Sequence, residues 1–205
     1  MATSDSYFTI KTEAETAFKI KGSRFIGRAF LCHTVKQAEK ILEDLRKEFH
    51  DATHHCFAYR VGWGKDMEFR YSDDGEPSGT AGKPIYDCIE GHGLTDVLVV
   101  VTRYFGGVKL GTGGLTHAYS RGAGDALEQA GKVENFITGQ IKLFLDFSDY
   151  NRIERLIDKY KGKRLKSDFT ERVAMIVELR ESFITPFIKK LTDLTSGRAK
   201  YERES

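Results

Sequence analysis

The chain has 205 residues, with 32 Lys and Arg against 30 Asp and Glu, so its net charge is only +2. Hydrophobic residues make up 40% and charged residues 30%, the balance of a folded globular protein, and the 20 glycines follow no repeat. Wholly disordered and collagen-like chains are thereby excluded, as is a nucleic-acid binder that is polybasic over its whole length, though not a local basic face. The length falls between one and two domains.

In chain order, the alternation over 23–31 predicts a strand. Val35, Ala38, Leu42, Leu45 and Phe49 recur at helical spacing, with Lys36, Glu39, Lys40, Glu43 and Asp44 on the polar side. Residues 56–61 and 67–71 read as two strands joined by a turn at Gly62-Trp63-Gly64-Lys65. The continuous apolar run 97–101 suits a strand covered on both faces, and it is far shorter than the roughly 20 residues of a membrane helix. The strongest helix follows, with Leu115, Ala118, Tyr119, Gly122, Ala123, Ala126, Leu127 and Ala130 on one stripe whose small residues allow close approach to a sheet.

The second half reads strand (140–147), helix (150–160, ended by Gly162), strand (164–169), strand (172–179), helix and strand (199–202), with Ser182 expected to cap the second helix. That order is the split βαβ, ferredoxin-like arrangement. Residues 1–138 carry 17 basic and 19 acidic side chains, whereas residues 139–205 carry 15 and 11. Seven glycines crowd between Gly106 and Gly124, and only Gly139, Gly162 and Gly197 lie beyond Thr138. These shifts place a domain boundary at 1–138 and 139–205.

Cys32, Cys56 and Cys88 are odd in number and form no CxxC pair, the usage of a reducing compartment. The N-terminal segment has no basic start followed by an apolar run, so the expected location is the cytoplasm and no membrane partner is expected.

Two segments could carry chemistry. The run from Tyr71 to Pro84 packs Ser72, Asp73, Asp74, Glu76, Thr80 and Lys83 among glycines and prolines. Such a composition makes turns, but a segment this long invites a ligand. Gly79-Thr80-Ala81-Gly82-Lys83 fails the phosphate-loop template, because Pro77 occupies the first glycine position and Pro84 replaces the Ser or Thr. The second segment runs from Arg103 through Gly106, Gly107, Lys109, Gly111, Thr112, Gly113 and Gly114 to Leu115. A strand that enters a glycine turn and then a helix is a recipe for an anion site, because bare N–H groups face outward at the helix start. The dinucleotide fingerprint fails, since Thr116 stands where its third glycine belongs. Tight helix–sheet packing explains the same glycines equally well. Both segments are expected to meet in one anion or ligand site, with Arg103 and Lys109 supplying charge.

His54-His55-Cys56 offers metal-ligand types, but neighbours on a strand face opposite ways, so no metal and no cofactor is assigned. Cys56 on an apolar strand reads as an inert buried thiol. Lys159, Lys161, Lys163, Arg164 and Lys166 crowd around Gly162, either as a solvated helix end or as a patch for nucleic-acid phosphates.

At His54-His55-Cys56, the Tyr71–Pro84 run, Arg103-Tyr104-Phe105-Gly106-Gly107 and Leu110–Leu115, the sequence resembles the Impact/YigZ family over essentially its whole length. The resemblance implies an α+β fold, with an Impact-type first domain similar to ribosomal protein S5 domain 2. It implies a ferredoxin-like second domain similar to the C-terminal domain of elongation factor G. The eukaryotic Impact protein resembles a regulator of translation initiation, and the family offers no catalytic residue to transfer. The leading expectation is a non-catalytic binding protein that contacts RNA, the ribosome or a translation factor. The alternative is a phosphate-handling enzyme, with Asp73, Asp74 and Glu76 as acid, base or Mg ligands and Arg103 and Lys109 on the phosphate.

Overall fold

In the computed structural model, which describes residues 5–204, the apolar run around Val97 forms the middle of a five-stranded antiparallel sheet. Its strands are β2 (Ala14–Ile20), β3 (Ser23–Leu31), β4 (His54–Val61), β5 (Glu68–Ser72) and β6 (Val97–Tyr104), in the order β2-β3-β6-β4-β5. A strand buried on both faces needs apolar side chains at every position. Val97, Val99 and Val101 join one core, and Leu98 and Val100 join another.

The first core is closed by α2 (Gly82–Gly91) and α3 (Gly111–Ala130), the second by α1 (Val35–Glu48). The Oγ of Thr34 caps α1 by accepting from the Gln37 N–H at 3.2 Å. This satisfies one of the donors a helix start leaves bare. The small residues of α3 serve close packing on the sheet. A Cβ on Gly27 of β3 would lie 2.1 Å from the Gly122 carbonyl oxygen of α3, so strand and helix are in backbone contact there. Two further strands, β1 (Ser6–Ile10) and β7 (Lys132–Phe136), pair as a separate ribbon. The sequence reading contained neither of them, nor β2 and α2.

The second unit holds β8 (Thr138–Leu145), α4 (Tyr150–Lys159), β9 (Lys163–Phe169), β10 (Val173–Arg180), α5 (Glu181–Thr195) and β11 (Lys200–Glu204). Its sheet runs β11-β8-β10-β9 with every neighbour antiparallel. Ile141, Leu143, Leu145, Val173, Met175, Val177 and Leu179 face α4 and α5, which contribute Ile153, Leu156, Ile157, Ile184, Phe187 and Leu191. This is the ferredoxin-like arrangement. Ser182 is not the cap of α5: that helix starts at Glu181 after Arg180, and the Ser182 N–H and hydroxyl both donate to the Asp5 carboxylate. Contacts divide the chain into residues 7–135 and residues 136–204, the latter grouped with Asp5 and Ser6. Among the described residues no helix is long and apolar enough to cross a membrane.

Candidate functional site

The acidic run after β5 is largely consumed by its own backbone. Oδ1 of Asp73 accepts from the Ala81 and Gly82 N–H groups at 2.9 and 2.8 Å, and Oδ2 accepts from Gly79 at 2.8 Å. Burial raises the Asp73 pKa, but the three backbone donors outweigh it and hold the carboxyl below its usual value. Asp74 accepts from the His55 N–H at 2.6 Å and pairs with Arg46 at 3.1 Å. Ser72 Oγ accepts from the Asp74 N–H, Thr80 Oγ1 donates to the Pro77 carbonyl, and Lys83 pairs with Asp87. These groups build the loop and the start of α2.

Glu76 is the exception. Its side chain is only 4% exposed. Oε1 accepts from Arg103 Nη1 at 2.5 Å and from the Tyr119 hydroxyl at 2.7 Å. Oε2 takes no donor among the described residues and is not sealed from solvent. Burial, with Cys56 and Glu76 beside it, pushes the Tyr119 pKa up, so the phenol stays a donor. Burial likewise pushes the Cys56 thiol up, and its Sγ donates to the Asp73 carbonyl. A thiol so placed is a poor nucleophile.

His54 enters the same place from β4. The register sets it directly opposite Arg103 of β6. Its Nδ1–H donates to the Asp74 carbonyl at 2.8 Å, because a carbonyl only accepts. The neutral ring therefore carries its lone pair on Nε2, which lies 3.8 Å from Glu76 Oε1.

Arg103 is 4% exposed; its other side-chain hydrogen bond is Nη2 to Ser23 Oγ at 3.3 Å, its guanidinium lies 5.5 and 5.4 Å from the Phe25 and Phe105 ring centres, and its buried Nε has no hydrogen-bond partner among the described residues. The fork expected to meet a phosphate pairs with Glu76 and lines the cleft described below. Lys109 is exposed and makes no ion pair among the described residues. The glycine turn has two structural jobs. A Cβ on Gly106 would meet the backbone of Gly22 at 2.0 Å, and Gly107 and Gly111 adopt φ of +85° and +73°. Gly111, Thr112, Gly113 and Gly114 form the first turn of α3, which has no side-chain cap and no acidic residue. Its N–H groups carry the positive end of a 20-residue helix.

A cleft of about 450 Å³ joins these parts. His54, Glu76, Arg103, Lys109, Gly111 and Thr112 supply its polar lining, and Pro77, Phe105, Leu110 and Leu115 the apolar wall. The cleft thus brings Arg103, Lys109, Gly111 and Thr112 of the second segment together with Glu76, whereas Gly106, Gly107, Gly113 and Gly114, like Ser72, Asp73, Asp74, Thr80 and Lys83, are not part of its lining. The sequence reading missed His54, which it weighed only as a metal ligand, and also Phe105 and Tyr119. The available signal was the alternation of β4, which sends His54 and His55 to opposite faces. Among the described residues no three His, Cys, Asp or Glu side chains converge to hold a metal.

In the second unit the basic cluster divides. Arg164 opposes Val177 on the helix side of the sheet and binds the Tyr150 hydroxyl and Glu154 at 2.7 and 2.8 Å. The Glu154 charge raises its pKa. Lys163 and Lys166 oppose Glu178 and Ile176 on the open face, while Lys159 and Lys161 flank the turn at Gly162. None of these four lysines has an ion pair among the described residues.

Residues 21–127 match the Impact N-terminal domain, and residues 143–198 match a domain of unknown function, DUF1949. The chain is 38% identical to IMPACT family member YigZ of Escherichia coli (strain K12), over 87% of this chain and 88% of that protein. It is 34% identical to IMPACT family member YvyE of Bacillus subtilis (strain 168), over 95% and 89%. A solved structure described as the crystal structure of an hypothetical protein superposes with a TM-score of 0.71 at 33% identity, covering 99% of both chains.

Proposed function

Since this chain belongs to the IMPACT family, and its first unit holds a cleft with an open helix start, we propose that it is a phosphate-recognising binding protein whose partner is RNA of the translation apparatus. One observation carries the reading: the uncapped first turn of α3 opens into the cleft beside Lys109, with no acid in that turn. Helix N-termini favour anions, worth about 0.3–1 kcal/mol at exposed sites, and a lysine adds to that field. The four lysines around Gly162 that lack ion pairs support the RNA part, because phosphate contacts dominate such affinity.

The test is a pair of titrations of the full chain at low salt, one with inorganic phosphate and one with a short single-stranded RNA. Lys109→Ala is expected to weaken phosphate binding. Replacing Lys161, Lys163 and Lys166 together by alanine should lower RNA affinity for all sequences alike and flatten its salt dependence. If the unmodified protein binds neither ligand, the reading fails.

A phosphate-handling enzyme is the second reading, and the lone pair of His54 Nε2 in the same cleft favours it. A neutral imidazole there could accept a proton from a water attacking an ester held in the cleft. Phosphate release from a phosphomonoester, abolished by His54→Ala, would establish it; the absence of release from any ester tried would retire it.

A further inference from the structure

The cleft offers acceptors as well as donors. A bare anion would use the α3 N–H groups, Thr112 and Lys109. It has no use for Glu76 Oε2 or His54 Nε2, and the carboxylate would repel it. Both acceptors are fixed in place, Glu76 by Arg103 and Tyr119 and His54 by the Asp74 carbonyl. Glu76 is also more than nine-tenths buried, yet one oxygen still lacks a protein donor. Solvent reaches this oxygen, so it is free to accept from a ligand hydroxyl in place of water. The third element is Phe105, 47% exposed on the cleft wall, with the Arg103 guanidinium 5.4 Å from its ring centre. An exposed ring beside a polar recess suits a flat aromatic group.

We propose that the cleft takes a single ribonucleotide. Its phosphate sits at the first turn of α3 with Lys109, its ribose hydroxyls donate to Glu76 Oε2 and His54 Nε2, and its base lies against Phe105. This rests on the phosphate reading above and names the ligand class. The cavity volume of about 450 Å³ lies within the range of small-ligand sites, about 300–1,000 Å³. A carboxylate that accepts from ribose hydroxyls is also a recurring way of reading that sugar. The same chemistry is presented by a free mononucleotide and by the 5′-phosphorylated end of an RNA strand.

The experiment is calorimetric titration of the full chain with four probes: inorganic phosphate, adenosine 5′-monophosphate, its 2′-deoxy counterpart and a short 5′-phosphorylated RNA. The ribonucleotide is expected to bind about tenfold or more tighter than phosphate, and about fivefold or more tighter than the deoxy form. Phe105→Ala and His54→Gln should each reduce ribonucleotide affinity about fivefold or more beyond any change in phosphate affinity. The comparison of ribo and deoxy forms uses the unmodified chain, so a variant that folds poorly does not blunt it. RNA affinity that falls with Phe105→Ala and His54→Gln as the mononucleotide's does would assign the strand end as the source; RNA affinity indifferent to both substitutions would assign the free nucleotide and leave RNA to the lysines of the second unit. If phosphate binds and the ribonucleotide binds no tighter, or binds without regard to the 2′-hydroxyl and Phe105, this inference is overturned while the phosphate reading stands. If neither binds, both are overturned.

Discussion

His54 and His55 are adjacent on β4 and have opposite fates. His54 lines the cleft, with Nε2 at 3.8 Å from Glu76 Oε1. His55 is buried, with Nε2 at 3.2 Å from the Phe49 carbonyl and Nδ1 at 3.2 Å from the Thr102 hydroxyl. Burial lowers the His55 pKa against the opposing pull of Asp74. A folded-state pKa below the unfolded value of about 6.5 means that the unfolded chain binds the extra proton first. The stability contributed by neutral His55 is thus full above about pH 6.5 and is lost as pH falls through the folded pKa. Asp73 has the same sign, but its window opens only below about pH 3.9. Denaturant midpoints between pH 8 and pH 5 should therefore fall on acidification, and His55→Gln should flatten that fall. An unchanged slope in the variant would show that another group sets it. At Arg103 the effect is larger. Removing the guanidinium leaves Glu76 buried without its counter-charge, so Arg103→Ala should cost about 3–5 kcal/mol in thermal unfolding. Lysine keeps the charge but not the planar fork that reaches both Glu76 and Ser23, and Arg103→Lys is expected to recover only part of the loss.

At the scale of elements, what could be read from the sequence depended on whether the signal was local. β3, α1, β6 and α3 were legible because their buried faces repeat within the element itself, as in the Ala38, Leu42 and Leu45 stripe. β2 was not: Ala14, Thr16, Phe18 and Ile20 do alternate, but the face is only half-buried and two of its four residues are small or polar. α2 was hidden for a different reason. Gly82 and Pro84 read as turn residues, and the group that satisfies the helix start is Asp73, nine residues before Gly82. A cap supplied from outside the element leaves no N-cap pattern to recognise. The cleft divides in the same way. Its glycine turn was legible, whereas the role of His54 depends on the pairing of β4 with β6 and on a carbonyl across the loop. Asp73→Ala should therefore act on α2 as well as on its own loop. It removes acceptors for three N–H groups, and the expected cost is about 1–3 kcal/mol. Amide exchange should quicken in Gly82–Gly91 before it changes in Gly111–Ala130; equal acceleration of both helices would deny Asp73 its capping role.

On the scale of the whole chain, the apolar clusters separate cleanly by sequence. The two cores of the first unit draw only on residues from Ile10 to Ala130, and the third core only on residues from Ile141 to Leu191. Among the described residues no buried apolar side chain is shared between the cores of the two units. Phe187 is the sharpest probe of this, because it is fully buried in the ferredoxin-like core, between α5 and the sheet. Phe187→Ala should cost that unit about 3–5 kcal/mol through lost transfer energy and the cavity left behind. Hydrogen exchange followed by mass spectrometry is the suitable measurement, since regions open with their own free energies. Protection should collapse in Val173–Arg180 and persist in Val97–Tyr104. The first unit would then keep the ligand cleft intact while the second unfolds, and phosphate titration of the same variant should give an unchanged affinity. If protection falls together in both strands, the two units unfold as one cooperative body, and the separation of their cores does not govern stability.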